Sequence, residues 1–383
     1  MRVVVSCVPQ AGHVLPVLPL AEALAAQGHE VVVAVAADAA DLVAGRGVEF
    51  RPVGTGLGDW FAELRARTRG TPGDGLAPDR VEGYFVPRLF GEIGAARVVD
   101  DLFALCRELE PTHLIFDPYA FAAPLVAALT GAHPVLHTIS PLSDPGVLDL
   151  VGDAVSPLWR EFGVDVPPAA GVYAGTTLTI CPPSLDPAST ALAGAQPLRP
   201  VPPPLADPPP PPVGYDDPGR PLVYLTLGTF SNNHTGLFRL VIEALADEPV
   251  NLVATIGPDN DPAAFAPLPA NARVERFIPQ GDLLPHCAAV VHHAGAGTTF
   301  GALGHGLPAV AVPQSADNFD IAKMLVAAGV AERLQPGEVT VDAVRSALRR
   351  VLHVPDYRER ARHIAEEMAG MPSPTEVAAK LGG

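Results

Sequence analysis

The sequence predicts an α/β protein built from two parallel-sheet domains. Three observations carry this. Short β-branched runs alternate with helix-spaced segments over residues 1–137. A second series of the same kind starts at residue 221. Between them, residues 202–212 hold eight prolines, which neither a helix interior nor a central strand accommodates. Repeated βα units imply parallel strands covered by helices on both faces, and a chain of 383 residues is long enough for two such cores.

The elements follow in order. Residues 2–8 are a β-branched run suited to a strand buried on both faces. Residues 14–27 have helical spacing, with Leu15, Leu18, Ala21 and Leu24 expected on one face and Gly28 as the C-cap. A strand is expected at 30–35, a helix at 38–44 and extended chain at 48–53. Helix 102–109, strand 113–116, helix 121–129 and strand 134–137 complete the first series. Residues 140–200 are rich in proline and show little periodicity. The second series places strands at 221–227, 250–256, 272–277, 290–292 and 309–312. Its helices are expected at 237–245, 298–305, 321–328, 341–352 and 357–368. The expected division is a first domain over 1–201, a stiff proline linker over 202–219 and a second domain over 220–383.

Composition narrows the function. The apolar fraction is 48% and charged residues are 17%, which excludes wholesale disorder. A formal net charge of −17 disfavours nucleic-acid and anionic-membrane partners. The arginines between 345 and 363 are read as the solvated face of late helices. Cys7, Cys106, Cys181 and Cys287 form no CxxC pattern, so neither a zinc site nor a disulfide framework is expected, and the thiols are taken as reduced and cytoplasmic. No signal segment is read before Val3. The apolar run 119–136 is interrupted by Pro124, Gly131 and Pro134 and reads as a buried helix and strand rather than a membrane span.

The segment 290–304, V-V-H-H-A-G-A-G-T-T-F-G-A-L-G, carries the strongest chemical signal. A strand runs into His293, then a glycine turn, then a helix start near Thr298. Gly295 and Gly297 allow close backbone approach, and the helix start offers free N–H groups and a positive dipole end to a diphosphate. The segment is no P-loop, because it lacks lysine. It is no dinucleotide fingerprint either, because Gly301 comes one residue late. Upstream, Phe277 in F-I-P-Q offers a ring to a base. Downstream, Asp317 and Asn318 in P-Q-S-A-D-N-F suit a helix cap or vicinal hydroxyls.

Taken together, F-x-P-Q, H-A-G-A-G-T-T and P-x-x-x-D-N-F resemble the donor-binding signature of the GT-B nucleotide-sugar glycosyltransferases, in particular the bacterial enzymes that glycosylate antibiotics and other secondary metabolites. The N-terminal G-H-V-L-P, the strand L-T-L-G-T at 225–229 and P-S-P at 372–374 also fit. The resemblance implies two Rossmann-like domains facing a central cleft, with acceptor in the first and donor in the second. It also implies that the last helices, about 357–381, cross back to the first domain. It implies that Phe277 stacks on the base and that Ile278 meets the base edge through its backbone. His293, Gly295, Gly297, Thr298 and Thr229 hold the diphosphate, Asp317 and Asn318 bind the sugar, and Gly12 and Gln280 join the donor contacts. Many relatives carry glutamine where Asn318 stands. Relatives that use uridine donors often carry glutamate at the position of Gly301. A deoxythymidine donor has no 2′-hydroxyl and needs no such partner, so a dTDP-sugar is expected ahead of a UDP-sugar.

Transfer to a hydroxyl requires a base, and neutral histidine suits it. His13 follows the first strand and Asp117 ends the strand 113–116, at one edge of one sheet. Both match the family's base and its carboxylate partner. Asp144, Trp159 and Tyr173 are placed in the acceptor pocket by position alone, while His137, His292 and His305 are read as structural or rim residues. The expected reaction is an inverting, metal-independent transfer to a small aglycone such as a polyketide, with no cofactor beyond the nucleotide sugar. A homodimer is left open. The alternatives are a sugar-nucleotide epimerase of the same fold and a non-catalytic nucleotide-sugar-binding partner.

Overall fold

The computed structural model describes the chain apart from residues 69–72, 74, 77–79, 143, 189–191, 193, 202–216, 218, 229–233, 315, 316 and 383. Most of the expected linker therefore lies outside the described residues. The chain divides into two units, Met1–Arg199 with Pro372–Gly383, and Pro200–Met371.

The first unit holds a seven-stranded parallel sheet in the order β3-β2-β1-β4-β5-β6-β7. The strands are β1 (Arg2–Ser6), β2 (Glu30–Val35), β3 (Glu49–Pro52), β4 (His113–Phe116), β5 (His133–His137), β6 (Thr176–Thr179) and β7 (Ala195–Pro197). Val3, Val4 and Val5 are all buried, as a central strand covered on both faces requires. The helix Ala11–Ala26 buries Val14, Val17, Leu18, Leu20, Ala21 and Leu24. Leu15, expected on that face, is 41% exposed. The helix is covered on one side by the sheet and on another by the helix Pro374–Gly382, so its buried set is broader than a single stripe and Leu15 falls outside it. Gly28 adopts the left-handed conformation just past the helix end.

The second unit holds a six-stranded parallel sheet in the order β10-β9-β8-β11-β12-β13. Its strands are β8 (Leu222–Thr226), β9 (Asn251–Thr255), β10 (Ala272–Glu275), β11 (Cys287–His292), β12 (Ala309–Ala311) and β13 (Ala331–Arg333). Some of the late arginines are engaged within the unit: Arg349 pairs with Glu248, Arg350 with Glu332, and Arg358 donates to Ala288 O.

The chain end departs from expectation. The helix Pro355–Gly370 stays in the second unit, packed on the helices Ala296–Gly304 and Val341–His353 through the buried Ala361, Ile364 and Met368. Only the helix Pro374–Gly382 belongs to the first unit. A capping box starts it: the Ser373 N–H donates to Glu376 and the Glu376 N–H to Ser373 Oγ.

The proline-rich middle is also more ordered than its sequence suggests. It contains the helix Pro145–Glu161, β6 and β7. All four cysteines are free and buried. Among the described residues, no helix is long and apolar enough to cross a membrane.

Each sheet has one topological switch point, between β1 and β4 in the first and between β8 and β11 in the second. Strands on either side of such a point send their following loops in opposite directions, which opens a crevice at their carboxyl ends. Ser6 is in register with Phe116, and His292 with Thr226. The residues just past these pairs are the ones the motifs single out.

Candidate active site

At the first switch point, β1 leads through Cys7 and Val8 into the helix that bears His13, and Asp117 directly follows β4. Asp117 is fully buried. Its Oδ2 accepts the Val8 N–H at 2.6 Å, and its Oδ1 accepts the Tyr119 N–H at 2.8 Å. His13 Nδ1 lies 3.1 Å from the same Oδ1. A buried carboxylate is tolerated only when its lone pairs are used, and here two backbone donors and one imidazole use them. The backbone donors leave Oδ1 aimed at His13, so the imidazole carries its proton on Nδ1 and offers the Nε2 lone pair. Burial and the neighbouring Asp117 both push the Cys7 thiol up, which makes it a poor nucleophile. His137, at the end of β5, is buried and pushed down to about 4 by desolvation.

The His13 ring meets Tyr119 at 5.6 Å and Phe90 at 6.2 Å between centroids. Sequence reasoning missed both. Tyr119 stands two residues after Asp117, which is the one signal that could have found it. Phe90 sits on a π-helical stretch, Val86–Gly94, whose wider turn defeats a search at 3.6-residue spacing. The residues assigned to the acceptor pocket by position fare differently. Trp159 is 1% exposed within the core, so it cannot line an open pocket. Asp144 caps its helix by accepting the Gly146 N–H at 2.7 Å, and Tyr173 packs half-buried against the same core.

At the second switch point, β8 leads to Gly228 and β11 to His293. The His293 ring fills the space between two glycines. A Cβ built on Gly228 would stand 2.5 Å from its Cε1, and one on Gly295 would stand 2.3 Å from its Nε2. Desolvation pushes His293 down to about 4, so the ring is neutral at neutral pH. Gly295 is the N-cap of the helix Ala296–Gly304 and supplies no side-chain cap, which leaves the first-turn N–H groups uncapped among the described residues. A Cβ on Gly297 would meet nothing within 4 Å among the described residues. Thr298 Oγ1 accepts from Gln280 Nε2 at 3.0 Å and keeps its own hydroxyl proton for another acceptor. One N–H of the Gln280 amide is thus used within the protein.

Phe277 is 73% exposed, an unusual position for a large ring. Ile278 is buried with Leu283, Leu284 and Val290. Asp317 is the N-cap of the helix Asn318–Ala327 and makes no side-chain capping bond among the described residues; Asn318 is buried, with Nδ2 3.4 Å from Asp317 Oδ1. Gly12 lies in the first turn of the His13 helix, and a Cβ there would meet nothing within 4 Å among the described residues. Thr229 lies outside the described residues. A Cβ on Gly301 would stand 3.0 Å from Leu284 Cδ1 and 3.4 Å from Gln280 Oε1, the ends of two flexible side chains. His305 Nδ1 bonds Gly301 O at 2.9 Å, a structural role. Among the described residues no group of three or more His, Cys, Asp or Glu could hold a metal ion.

Comparisons with known proteins agree with this architecture. The family model of the erythromycin biosynthesis protein CIII-like C-terminal domain matches residues 239–382. The L-demethylnoviosyl transferase of Streptomyces niveus is 30% identical, across 100% of this chain and 97% of its own. Among solved structures, the glycosyltransferase SnogD from Streptomyces nogalater is 30% identical with a TM-score of 0.76, covering 100% of this chain and 98% of that one. The glycosyltransferase SsfS6 of Streptomyces sp. SF2575, complexed with thymidine diphosphate, is 27% identical with a TM-score of 0.78, covering 100% and 99%. With two parallel Rossmann-like sheets, a full-length relative of this similarity and the donor signature in place, the chain belongs to the GT-B glycosyltransferases of antibiotic biosynthesis.

Proposed function

We propose that this glycosyltransferase moves a deoxysugar from a dTDP-sugar to a hydroxyl of a polyketide-type aglycone, with inversion at the anomeric carbon. The observation that carries the mechanism is the His13–Asp117 pair at the β1/β4 switch point. Asp117 holds the Nδ1 proton, so Nε2 takes the acceptor's hydroxyl proton as its oxygen attacks the anomeric carbon. The bond from that carbon to the diphosphate oxygen breaks, and dTDP leaves with the electron pair. Asp117 stabilises the imidazolium that results. The acceptor reading is supported by the half-buried Phe90 and Tyr119 beside His13, which offer apolar walls, and by similarity to an erythromycin biosynthesis protein.

The first unit then binds the acceptor and the second the donor. The first-turn N–H groups of the helix Ala296–Gly304, His293 and the Thr298 hydroxyl take up the negative charge on the departing diphosphate, so this reading assigns that task to protein groups without a metal. The Phe277 ring stacks on the thymine, and Asp317 and Asn318 bind the sugar hydroxyls. The thymidine assignment is supported by the thymidine diphosphate bound in SsfS6.

Calorimetric titration with dTDP and UDP, repeated on His293→Ala, tests the donor site. Tighter binding of dTDP, lost in the variant, is expected. Tighter UDP would overturn the thymidine assignment, and binding of neither would overturn the donor site. The anomeric configuration of the product by NMR decides inversion.

A further inference from the structure

β11 ends at His292, whose backbone is held on both sides. It is in register with Thr226 of β8 and Ala311 of β12, and its carbonyl accepts the Val312 N–H at 2.8 Å. Two residues later, Ala294 has φ +64°. That left-handed conformation crowds a Cβ, and alanine has no polar side chain to compensate as asparagine would. Ala294 is also fully buried, so its N–H cannot turn to water. The group that accepts that N–H is His292 Nδ1, at 3.2 Å.

The His292 side chain is otherwise poorly served. With Nδ1 accepting, the ring proton resides on Nε2. Nε2 is buried and has no hydrogen-bond partner among the described residues. A phenylalanine in the same place would bury a similar ring without an unsatisfied donor, so core packing alone does not favour histidine here. Desolvation, with the neighbouring His293, pushes His292 down to about 3, which keeps the Nδ1 lone pair available throughout the neutral range.

We infer that His292 is a positioning residue for donor binding: its Nδ1 clamps the Ala294 N–H and holds the left-handed turn that aims His293 and the first-turn N–H groups at the diphosphate. The same turn seats the His293 ring against Gly228 and Gly295, where an added Cβ would stand 2.5 and 2.3 Å from it. This rests on the reading of the turn as the diphosphate site. The residue acts through the backbone and touches no ligand itself.

Three variants and dTDP as probe test it by calorimetry. His292→Phe keeps a buried ring but removes the acceptor. It is expected to weaken dTDP binding about tenfold, the size of one lost hydrogen bond. His292→Asn places a carbonyl oxygen near the Nδ1 position and is expected to bind within about threefold of the parent, since the hydrogen bond is kept. Adding Ala294→Gly to His292→Phe removes the backbone strain and is expected to restore most of the loss. A packing role reverses this order, because phenylalanine fills the site better than asparagine. Binding by His292→Phe equal to the parent, or weaker binding by His292→Asn than by His292→Phe, overturns the inference. Should His292→Phe not fold, loss of dTDP binding in a folded His292→Asn overturns it equally. A parent protein that binds neither dTDP nor UDP overturns the diphosphate reading and this inference together, a failure visible before any variant is made.

Discussion

Asp117 Oδ1 lies 3.1 Å from His13 Nδ1 while the same carboxylate accepts the Val8 and Tyr119 backbone N–H groups at 2.6 and 2.8 Å. One buried side chain thus ties the end of β1 to the end of β4 and orients the imidazole between them. The two residues should therefore fail differently when changed.

His13→Ala removes a half-buried ring from a helix start and is expected to lower kcat by about 10²–10⁴-fold, the usual range for a lost general base, with little change in Tm. Asp117→Ala strands two backbone donors in the interior and is expected to lose both activity and about 2–4 kcal/mol of stability. Thermal unfolding beside steady-state kinetics checks this. Equal Tm losses in the two variants would show that His13 is structural.

Gly297→Ala separates ligand approach from protein packing. The added methyl meets nothing within 4 Å among the described residues, and alanine suits a helix better than glycine. Unfolding stability is expected to stay the same or rise by up to about 1 kcal/mol, while dTDP affinity falls. Unchanged affinity would mean that the diphosphate does not approach this turn.

Phe277 carries its ring 73% exposed, so truncation removes little packing. Phe277→Ala is expected to weaken dTDP binding by about 1–3 kcal/mol, the cost of one lost base–aromatic stack, and to leave Tm in place. Phe277→Trp should retain binding. Full dTDP affinity in Phe277→Ala would remove the ring from the donor site.

His137 sets an acid limit. It is buried, its Nδ1 bonds Thr138 O at 2.8 Å, and desolvation pushes it down to about 4. In the unfolded chain the same group titrates near 6.5. Between those values the unfolded state binds the extra proton, so stability rises with pH there. The loss begins as pH falls below about 6.5, reaches roughly 3 kcal/mol at pH 4 and is nearly complete just below it. His292, pushed down to about 3, acts in the same direction over a wider window. Urea unfolding at pH 7 and pH 4.5 should show a smaller difference for His137→Gln than for the parent. An identical difference would discard His137 as the cause.

What was legible in the sequence divides along physical lines. Central strands of parallel sheets are continuous β-branched runs because both faces are buried, so β1, β2, β8 and β11 stand out locally. The glycine turn before Thr298 stands out too, since only small residues let a ligand reach a helix start. The segment Val86–Gly94 was not legible, because a π-helical path breaks the periodicity that would reveal it. β7 was not legible either, because a three-residue edge strand carries little pattern. Trp159 was misplaced because an aromatic in an unassigned stretch gives no clue to which way it faces.

The sequence alone determined the two βα series, the proline break between them and the chemical character of residues 277–318. Those features are local, set by side-chain type and spacing over a few turns. Only the tertiary structure decided that Asp117 reaches across 104 residues to His13, that Gly228 and Gly295 enclose His293, and that the chain end splits between units at Met371 and Pro372. Such pairings depend on strand order, and strand order is fixed by how whole sheets bury their faces, a property that no short stretch of residues carries.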